Sequence, residues 1–173
     1  MFYAIVVEDV EKLITVRAMQ ILIISLFSMF FTQLIKFAIY SIREKKPVWR
    51  MLISTGGFPS SHTALCITLC ITLGMFQWHD LGGKLDWSFP VAVVISMIII
   101  HDAMGVRLEA SKHAKILNNM TEDLPEEEKY KLGFGKKGQL KEMLGHKGVE
   151  VLGGILVGAI IGVVGFWAFV FIV

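Results

Sequence analysis

The sequence predicts an all-α fold, a polytopic membrane helix bundle with about four spanning helices and short interfacial helices. Of its 173 residues, 54% are hydrophobic and 18% are charged, and the mean hydropathy is +0.63. Soluble domains of this length are less apolar than this. Apolar stretches that approach the thickness of a bilayer also recur along the chain. We therefore expect one membrane-embedded domain over residues 1–173.

The spans follow in order along the chain. The first is interrupted mainly by Gln33 and Lys36 near its end, and the last is almost wholly apolar, with glycines at near-helical spacing. Such glycines are typical of a helix that packs closely on a neighbour, within the chain or across a homo-oligomer. The four predicted spans are residues 19–42, 63–78, 89–106 and 151–173.

Two segments outside the spans are predicted to lie at the membrane interface and in solvent, respectively. Residues 1–17 contain three acidic residues where a signal peptide would be basic, so we expect an amphipathic lead-in at the membrane interface. Residues 118–137 contain an acidic run around Pro125. This composition predicts a mobile, solvated connector on the cytoplasmic side.

The distribution of basic residues predicts the orientation. Loops 43–59 and 107–147 hold most of the lysines and arginines, whereas the opposite side holds only Lys12, Arg17 and Lys84. By the positive-inside rule, the two basic loops are cytoplasmic, which suits a bacterial plasma membrane. The net charge of +2 gives no support to nucleic-acid binding.

Cysteine and histidine spacings give no metal signature. Cys66 and Cys70 lie four residues apart in an apolar stretch, where they are expected to be small packing residues. No close spacing of histidine, cysteine and carboxylates resembles a ligand set. We expect neither an obligatory metal nor another cofactor.

The run GGFPSSHT at residues 56–63 predicts an anion site. Two glycines permit a tight turn, Pro59 suits a helix start, and the N–H groups of a first helical turn attract anions such as phosphate. The alternative is a serine-capped helix start with His62 as a polar interfacial residue.

His146 and Glu150 are one helical turn apart at the start of the last span. A carboxylate bound to one ring nitrogen leaves the other nitrogen as a nucleophile or base. The alternative is a surface His–Glu pair. Because Glu150 adjoins an uninterrupted apolar run, an ionisable group there favours a functional role.

Further ionisable residues lie at the same predicted membrane face. Asp102 and Arg107 end the third span, and Lys36 lies near the end of the first. Taken singly, Lys36 would reach towards the headgroups and Asp102 would pair with Arg107 or Lys36. Together with His62 and His146, these ionisable residues are suited to bind a phosphoryl group.

These motifs, in this order, resemble the type 2 phosphatidic acid phosphatase and vanadium haloperoxidase superfamily. The closest resemblance is to its divergent bacterial and plastid branch, carried by GGFPSSHTA, DAMGVR and LKEMLGHKGVEVLGG between residues 33 and 158. The superfamily's haloperoxidases are soluble and larger, so the apolar spans favour the phosphatases.

The first two superfamily motifs map onto the first two spans. The first is a lysine followed after six residues by Arg-Pro, which places Lys36 and Arg43 with Glu44 instead of proline. The second, Pro-Ser-Gly-His, corresponds to residues 59–62, with Ser61 instead of glycine. The resemblance implies phosphate binding by Lys36, the Ser61 backbone and His62, and the predicted anion site at the helix start adds Ser60 and the Gly57 turn.

The third motif is Ser-Arg, five residues, His, three residues and Asp, a position that Glu150 occupies here. His146 and Glu150 match its end, but Gln139 and Leu140 occupy the Ser-Arg positions. Arg107 or Lys141 would replace the missing arginine, and the DAMGVR segment adds Asp102 to the binding residues. A rival alignment runs from Arg107 to His113, but it leaves His113 without an orienting acid.

The resemblance implies a metal-independent lipid phosphatase. In this hypothesis His146, oriented by Glu150, attacks phosphorus to form a phosphohistidine, and His62 protonates the departing alcohol. The implied substrate is phosphatidylglycerophosphate, which would yield phosphatidylglycerol at the cytoplasmic face. Phosphatidic acid and polyprenyl phosphates or diphosphates stay open as substrates, as does a non-catalytic protein that binds anionic lipid.

Overall fold

The structure, a computed structural model, describes residues 2–134, 139–140, 142 and 144–172. All regular elements in these ranges are helical, which confirms the all-α prediction. The elements are α1 (Phe2–Glu44), a 3-10 turn (Trp49–Leu52), α2 (Ser61–Asp80), α3 (Ser88–Met104), α4 (Val106–Met120), α5 (Glu126–Lys131) and α6 (Gly148–Ile172).

Within the described residues, three helical stretches are long and apolar enough to cross a membrane: Glu11–Glu44 of α1, Ser88–Met120 formed by α3 and α4, and Gly148–Phe171 of α6. Helices suit this environment because they satisfy their backbone hydrogen bonds internally. The membrane bundle predicted from hydropathy is therefore confirmed.

Helix α2 contains the second predicted span, residues 63–78, yet it is not among these three helices. Its hydroxyl side chains lower its mean hydropathy, but Thr63, Thr68 and Thr72 are buried rather than exposed to lipid. Thr68 Oγ1 lies 2.7 Å from Ser28 Oγ of α1 and donates to the Gly158 carbonyl of α6 at 2.9 Å. Helix α2 is thus the central helix, packed against α1, α3 and α6.

The glycines of α6 allow it to lie directly on α2. A Cβ atom at Gly158 would lie 2.6 Å from the Ala64 carbonyl oxygen, and one at Gly154 would lie 2.5 Å from the Ser60 carbonyl oxygen. These distances are shorter than van der Waals contact. The close packing that the glycine spacing predicts is therefore found within the chain, between α6 and α2.

The predicted lead-in is continuous with the first span. Helix α1 runs from Phe2 through Arg17 without interruption, because residues 2–17 contain neither glycine nor proline to break it. Arg17 donates from Nε to Asp80 Oδ2 at 2.8 Å, where α2 ends. The predicted boundary at residue 17 is therefore not a helix end.

The predicted connector, residues 118–137, includes the end of α4 and all of α5. Asn118 Oδ1 accepts from the Leu140 N–H at 2.8 Å, and Asn118 Nδ2 donates to the Leu140 carbonyl at 3.0 Å. These bonds join the end of α4 to the chain that leads to α6. Residues 135–137 lie outside the described residues, and the mobility of the connector stays a prediction.

The packing of α6 on α2 predicts a steric cost for one added methyl group. Gly158→Ala should destabilise the protein by about 1–3 kcal/mol, because the new Cβ meets backbone that can move little. The measurement is thermal unfolding of the detergent-solubilised protein. Gly148→Ala is the matched control, since nothing lies within 4 Å of a Cβ there. Equal stability of the two variants would contradict the close packing.

Candidate active site

The predicted site residues meet at one end of the bundle, where α1 and α3 end and α2 and α6 begin. A small cavity there is lined by His62 of α2, Arg107 of α4 and His146 of the segment before α6. Thr55, Ile99, Ala103 and Gly145 complete its lining. Residues far apart in the sequence therefore surround one space.

His146 is buried and held by Glu150. Its side chain is 2% exposed, and its Nδ1 lies 3.0 Å from Glu150 Oε2. An ionised carboxylate can only accept hydrogen bonds, so this contact assigns the proton to Nδ1 and leaves the lone pair on Nε2. The pair has the arrangement of an oriented nucleophile or base.

Glu150 is itself fixed by backbone donors. Its Oε2 accepts from the Lys147 N–H at 3.3 Å, and the backbone of Gly57 also hydrogen-bonds its carboxylate. Gly57 has φ +97°, and a Cβ there would lie 3.1 Å from the Tyr40 hydroxyl. The Gly57 turn, predicted to bind phosphate, therefore has a contact with the orienting carboxylate.

The backbone just before α6 holds His146 in position. Gly145 has φ +72°, and a side chain there would collide with the backbone of Leu108. The next N–H, that of His146, donates to the Ala103 carbonyl at 2.8 Å. This hydrogen bond holds His146 against the junction of α3 and α4.

His62 faces His146 across the cavity. The two ring centroids are 6.1 Å apart, and both side chains line the same space. His62 lies in the first turn of α2, whereas His146 precedes α6. At this separation a single phosphoryl group can contact both rings.

Ser60 is the N-cap of α2. Its Oγ accepts from the Thr63 N–H at 3.2 Å, and its own N–H donates to the Glu150 carbonyl at 2.9 Å. The Ser60 N–H predicted to bind phosphate is thus already engaged. The following N–H groups, those of Ser61 and His62, are left for an anion at the helix start.

Lys36 supplies a buried cation near this helix start. Its side chain is fully buried, and its Nζ donates to the Ser54 carbonyl at 3.4 Å. It also interacts electrostatically with Glu150. Arg43, the second cation of the first motif, is exposed on α1.

Arg107 is the cation that lines the cavity itself. Its Nε lies 2.6 Å from Asp102 Oδ2, and its side chain is 56% exposed, so it reaches both solvent and the cavity. Asp102 was predicted to pair with Arg107 or Lys36, and in the structure it pairs with Arg107. Asp102, predicted to bind substrate, thus contacts the cation that lines the cavity, and its role in binding stays a prediction.

The rival histidine does not join the site. His113, the rival histidine, is exposed on α4. Lys141, the alternative to Arg107, lies outside the described residues. Within the described ranges, no three histidine, cysteine or carboxylate side chains are placed to hold a metal ion.

Sequence reasoning missed two polar residues at this end of the bundle. Thr55 lines the cavity beside the histidines, and Gln33 Nε2 donates to the Ser54 carbonyl at 3.3 Å. Gln33 was visible only as an interruption of the first span. Thr55 lies in a loop, where no periodicity indicates the direction of a side chain.

Comparisons with known proteins agree with this architecture. A family model described as "Divergent PAP2 family" matches residues 18–161. The chain is 35% identical over 156 residues to a Bacillus subtilis protein named uncharacterized membrane protein YuiD, covering 83% of this chain and 91% of that protein. No solved structure matches. With its three apolar helices, the chain is an integral membrane protein.

The site geometry predicts an anion site that depends on Lys36. Inorganic phosphate at about 100 times its Kd should stabilise the protein by about 2.7 kcal/mol, because it binds only the folded state. The measurement is the Tm of the detergent-solubilised protein with and without phosphate. Lys36→Met should lose the shift, whereas the matched control Lys112→Met, on an exposed residue of α4, should keep it. An unchanged shift in Lys36→Met would contradict the assignment.

Proposed function

Because the chain belongs to the divergent PAP2 family, we propose that it is a membrane lipid phosphatase that hydrolyses a phosphomonoester through a phosphohistidine. The observation that carries this proposal is the contact of buried His146 with partly buried Glu150, with His146 facing His62 across a cavity that Arg107 also lines. A nucleophile, a proton donor and a cation thus surround one space.

Binding of the phosphoryl group uses fixed positive charge. Lys36 and Arg107 contribute cations, and the N–H groups of Ser61 and His62 contribute the positive end of α2. These groups are held before substrate arrives, since Lys36 is buried and Arg107 is paired with Asp102. Preorganised donors of this kind stabilise the charge that develops on the phosphoryl oxygens.

In the first chemical step, His146 Nε2 attacks phosphorus. Its lone pair forms the P–N bond while the P–O bond to the alcohol breaks, and the electron pair leaves with the oxygen. Protonated His62 transfers its proton to that oxygen, so the alcohol departs neutral. Glu150 stabilises the positive charge that the His146 ring acquires.

The second step releases phosphate. Neutral His62 removes a proton from a water molecule, the water oxygen attacks phosphorus, and the P–N bond breaks to restore neutral His146. The proton on His62 completes the cycle, so each turnover consumes one water and yields one alcohol and one phosphate. The chain's own residues supply every group that these two steps require.

The substrate that we propose is phosphatidylglycerophosphate, dephosphorylated to phosphatidylglycerol. The site lies at one end of a membrane bundle, which favours an amphiphile over a free sugar phosphate. The basic loops lie at the same end, which by the positive-inside rule supports a site on the cytoplasmic leaflet, and the membrane that we propose is a bacterial plasma membrane. Phosphatidic acid and polyprenyl phosphates are the alternative substrates, and anionic-lipid binding without catalysis is the alternative function.

Substitutions at the two histidines test the mechanism. His146→Ala should reduce phosphate release from phosphatidylglycerophosphate to background, because no nucleophile remains. His62→Ala should lower kcat by about 100-fold or more, because the leaving oxygen loses its proton donor. The measurement is phosphate release by detergent-solubilised protein in the presence of EDTA.

His113→Ala is the matched control for both variants, since His113 is exposed on α4, and it should retain wild-type turnover. Near-normal turnover by His146→Ala would refute the mechanism. Lipid binding without phosphate release by the wild type would favour the non-catalytic alternative.

Cysteine labelling tests the orientation of the site. Lys45→Cys introduces an exposed thiol at the site end, and Lys84→Cys introduces one in the loop at the opposite end. A membrane-impermeant maleimide applied to intact cells should label Lys84→Cys at once and Lys45→Cys only after permeabilisation. The reverse pattern would put the site outside and favour a substrate that is recycled there.

A further inference from the structure

Gln33 has a buried hydrogen-bond acceptor with no partner among the described residues. Its Nε2 donates to the Ser54 carbonyl at 3.3 Å, and its Oε1 is buried and unpaired. A carbonyl can only accept, so the amide nitrogen must face Ser54, and this contact fixes which side of the amide carries the oxygen. A buried polar atom left without a partner costs folding free energy, so such an atom merits a functional explanation.

Thr55 has a second unpaired polar atom nearby. Its Oγ1 is buried without a partner in the described part of the chain, and the residue lines the cavity with His62, Arg107 and His146. It directly follows Ser54, whose carbonyl accepts from both Gln33 and Lys36. Gln33 and Thr55 are therefore linked through Ser54, and Thr55 lines the cavity of the phosphoryl site. The third buried side-chain atom without a partner among the described residues is Ser61 Oγ, at the start of α2.

The chemistry of Gln33 Oε1 decides what it would bind. An ionised phosphoryl group presents only acceptors, so it cannot pair with an amide oxygen. A hydroxyl group can, because it donates a proton. The Thr55 hydroxyl can donate to the oxygen of the same ligand hydroxyl while that hydroxyl donates to Gln33 Oε1.

The position of Gln33 agrees with a ligand group on the membrane side of the phosphate. Gln33 precedes Lys36 by three residues, about 4.5 Å along α1, in the direction away from the basic end. The alcohol part of a bound lipid phosphate must extend in that direction to reach the bilayer. A hydroxyl on that alcohol would therefore pass close to Gln33.

We propose that Gln33 and Thr55 form a headgroup subsite that binds a hydroxyl of the substrate's alcohol, so that the protein prefers phosphomonoesters of a polyol. This proposal rests on the proposed phosphatase function and adds its specificity. A glycerol phosphate headgroup carries such a hydroxyl beside the ester. Phosphatidic acid and polyprenyl phosphates carry none, so they leave the Gln33 oxygen unpaired, and sites of this kind reject such analogues.

The first experiment compares two lipids. Phosphate release from phosphatidylglycerophosphate and from phosphatidic acid is measured for the wild type, Gln33→Met, Thr55→Val and Thr55→Ser. The wild type should favour phosphatidylglycerophosphate by at least about tenfold in kcat/KM, the value of one hydrogen bond. Gln33→Met and Thr55→Val should lose most of this preference through a raised KM for phosphatidylglycerophosphate, and Thr55→Ser should keep it.

Gln77→Met is the matched control. Gln77 is also a partly buried glutamine whose Nε2 donates to a neighbour, the Ser88 hydroxyl, but it lies at the other end of the bundle. It should keep the wild-type preference. A wild type without preference, or equal losses on both lipids in Gln33→Met and Thr55→Val, would overturn the subsite. If Gln33→Met does not fold, the Thr55→Val and Thr55→Ser pair decides.

A binding measurement separates this proposal from the phosphatase itself. Calorimetry with glycerol 3-phosphate and propyl phosphate on the solubilised wild type should show about tenfold tighter binding of glycerol 3-phosphate. Equal affinities would overturn the subsite even if both lipids are hydrolysed. Absence of phosphate release from either lipid, together with selective binding of glycerol 3-phosphate, would instead reject the catalytic function and support the subsite.

Discussion

The close packing of α6 on α2 is the constraint on which the site depends. Gly154 and Gly158 bring the two helices into backbone contact, and the Ser60 N–H donates to the Glu150 carbonyl at 2.9 Å. Because this bond joins the first turns of both helices, it puts His62 at the level of His146. Bulkier residues on α6 would separate the two rings, so the small residues of this apolar helix have consequences at the polar end.

Charge at this end is tolerated because each group has a partner. Arg107 is paired with Asp102, and the Glu150 carboxylate is bound by His146 and by two backbone segments. Lys36 is buried, but its Nζ donates to the Ser54 carbonyl and its charge is attracted by the Glu150 carboxylate. Unpaired charges would be costly at the edge of a bilayer. The positive end of α2 and the cations Lys36 and Arg107 together favour the binding of a phosphoryl dianion.

Much of this arrangement follows from sequence, because hydropathy and helical spacing are local properties. The spans over α1, α3 and α6 and the His146–Glu150 contact were predictable in that way. Three features were not. The hydropathy of α2 is lowered by threonines that only the packed bundle shows to be buried, the Gly57 backbone contacts Glu150 rather than open space, and Gln33 meets Ser54 only because the intervening loop folds back onto α1. Each depends on contacts between distant segments, which no spacing rule describes.

The stereochemistry of hydrolysis tests the central claim, transfer through His146, most directly. The substrate is a phosphorothioate analogue of phosphatidylglycerophosphate, made chiral at phosphorus with two oxygen isotopes and hydrolysed in water of the third. Two successive in-line displacements, at His146 and then at water, predict retention of configuration in the thiophosphate product. Inversion would mean that water attacks phosphorus directly, and it would contradict the phosphohistidine account.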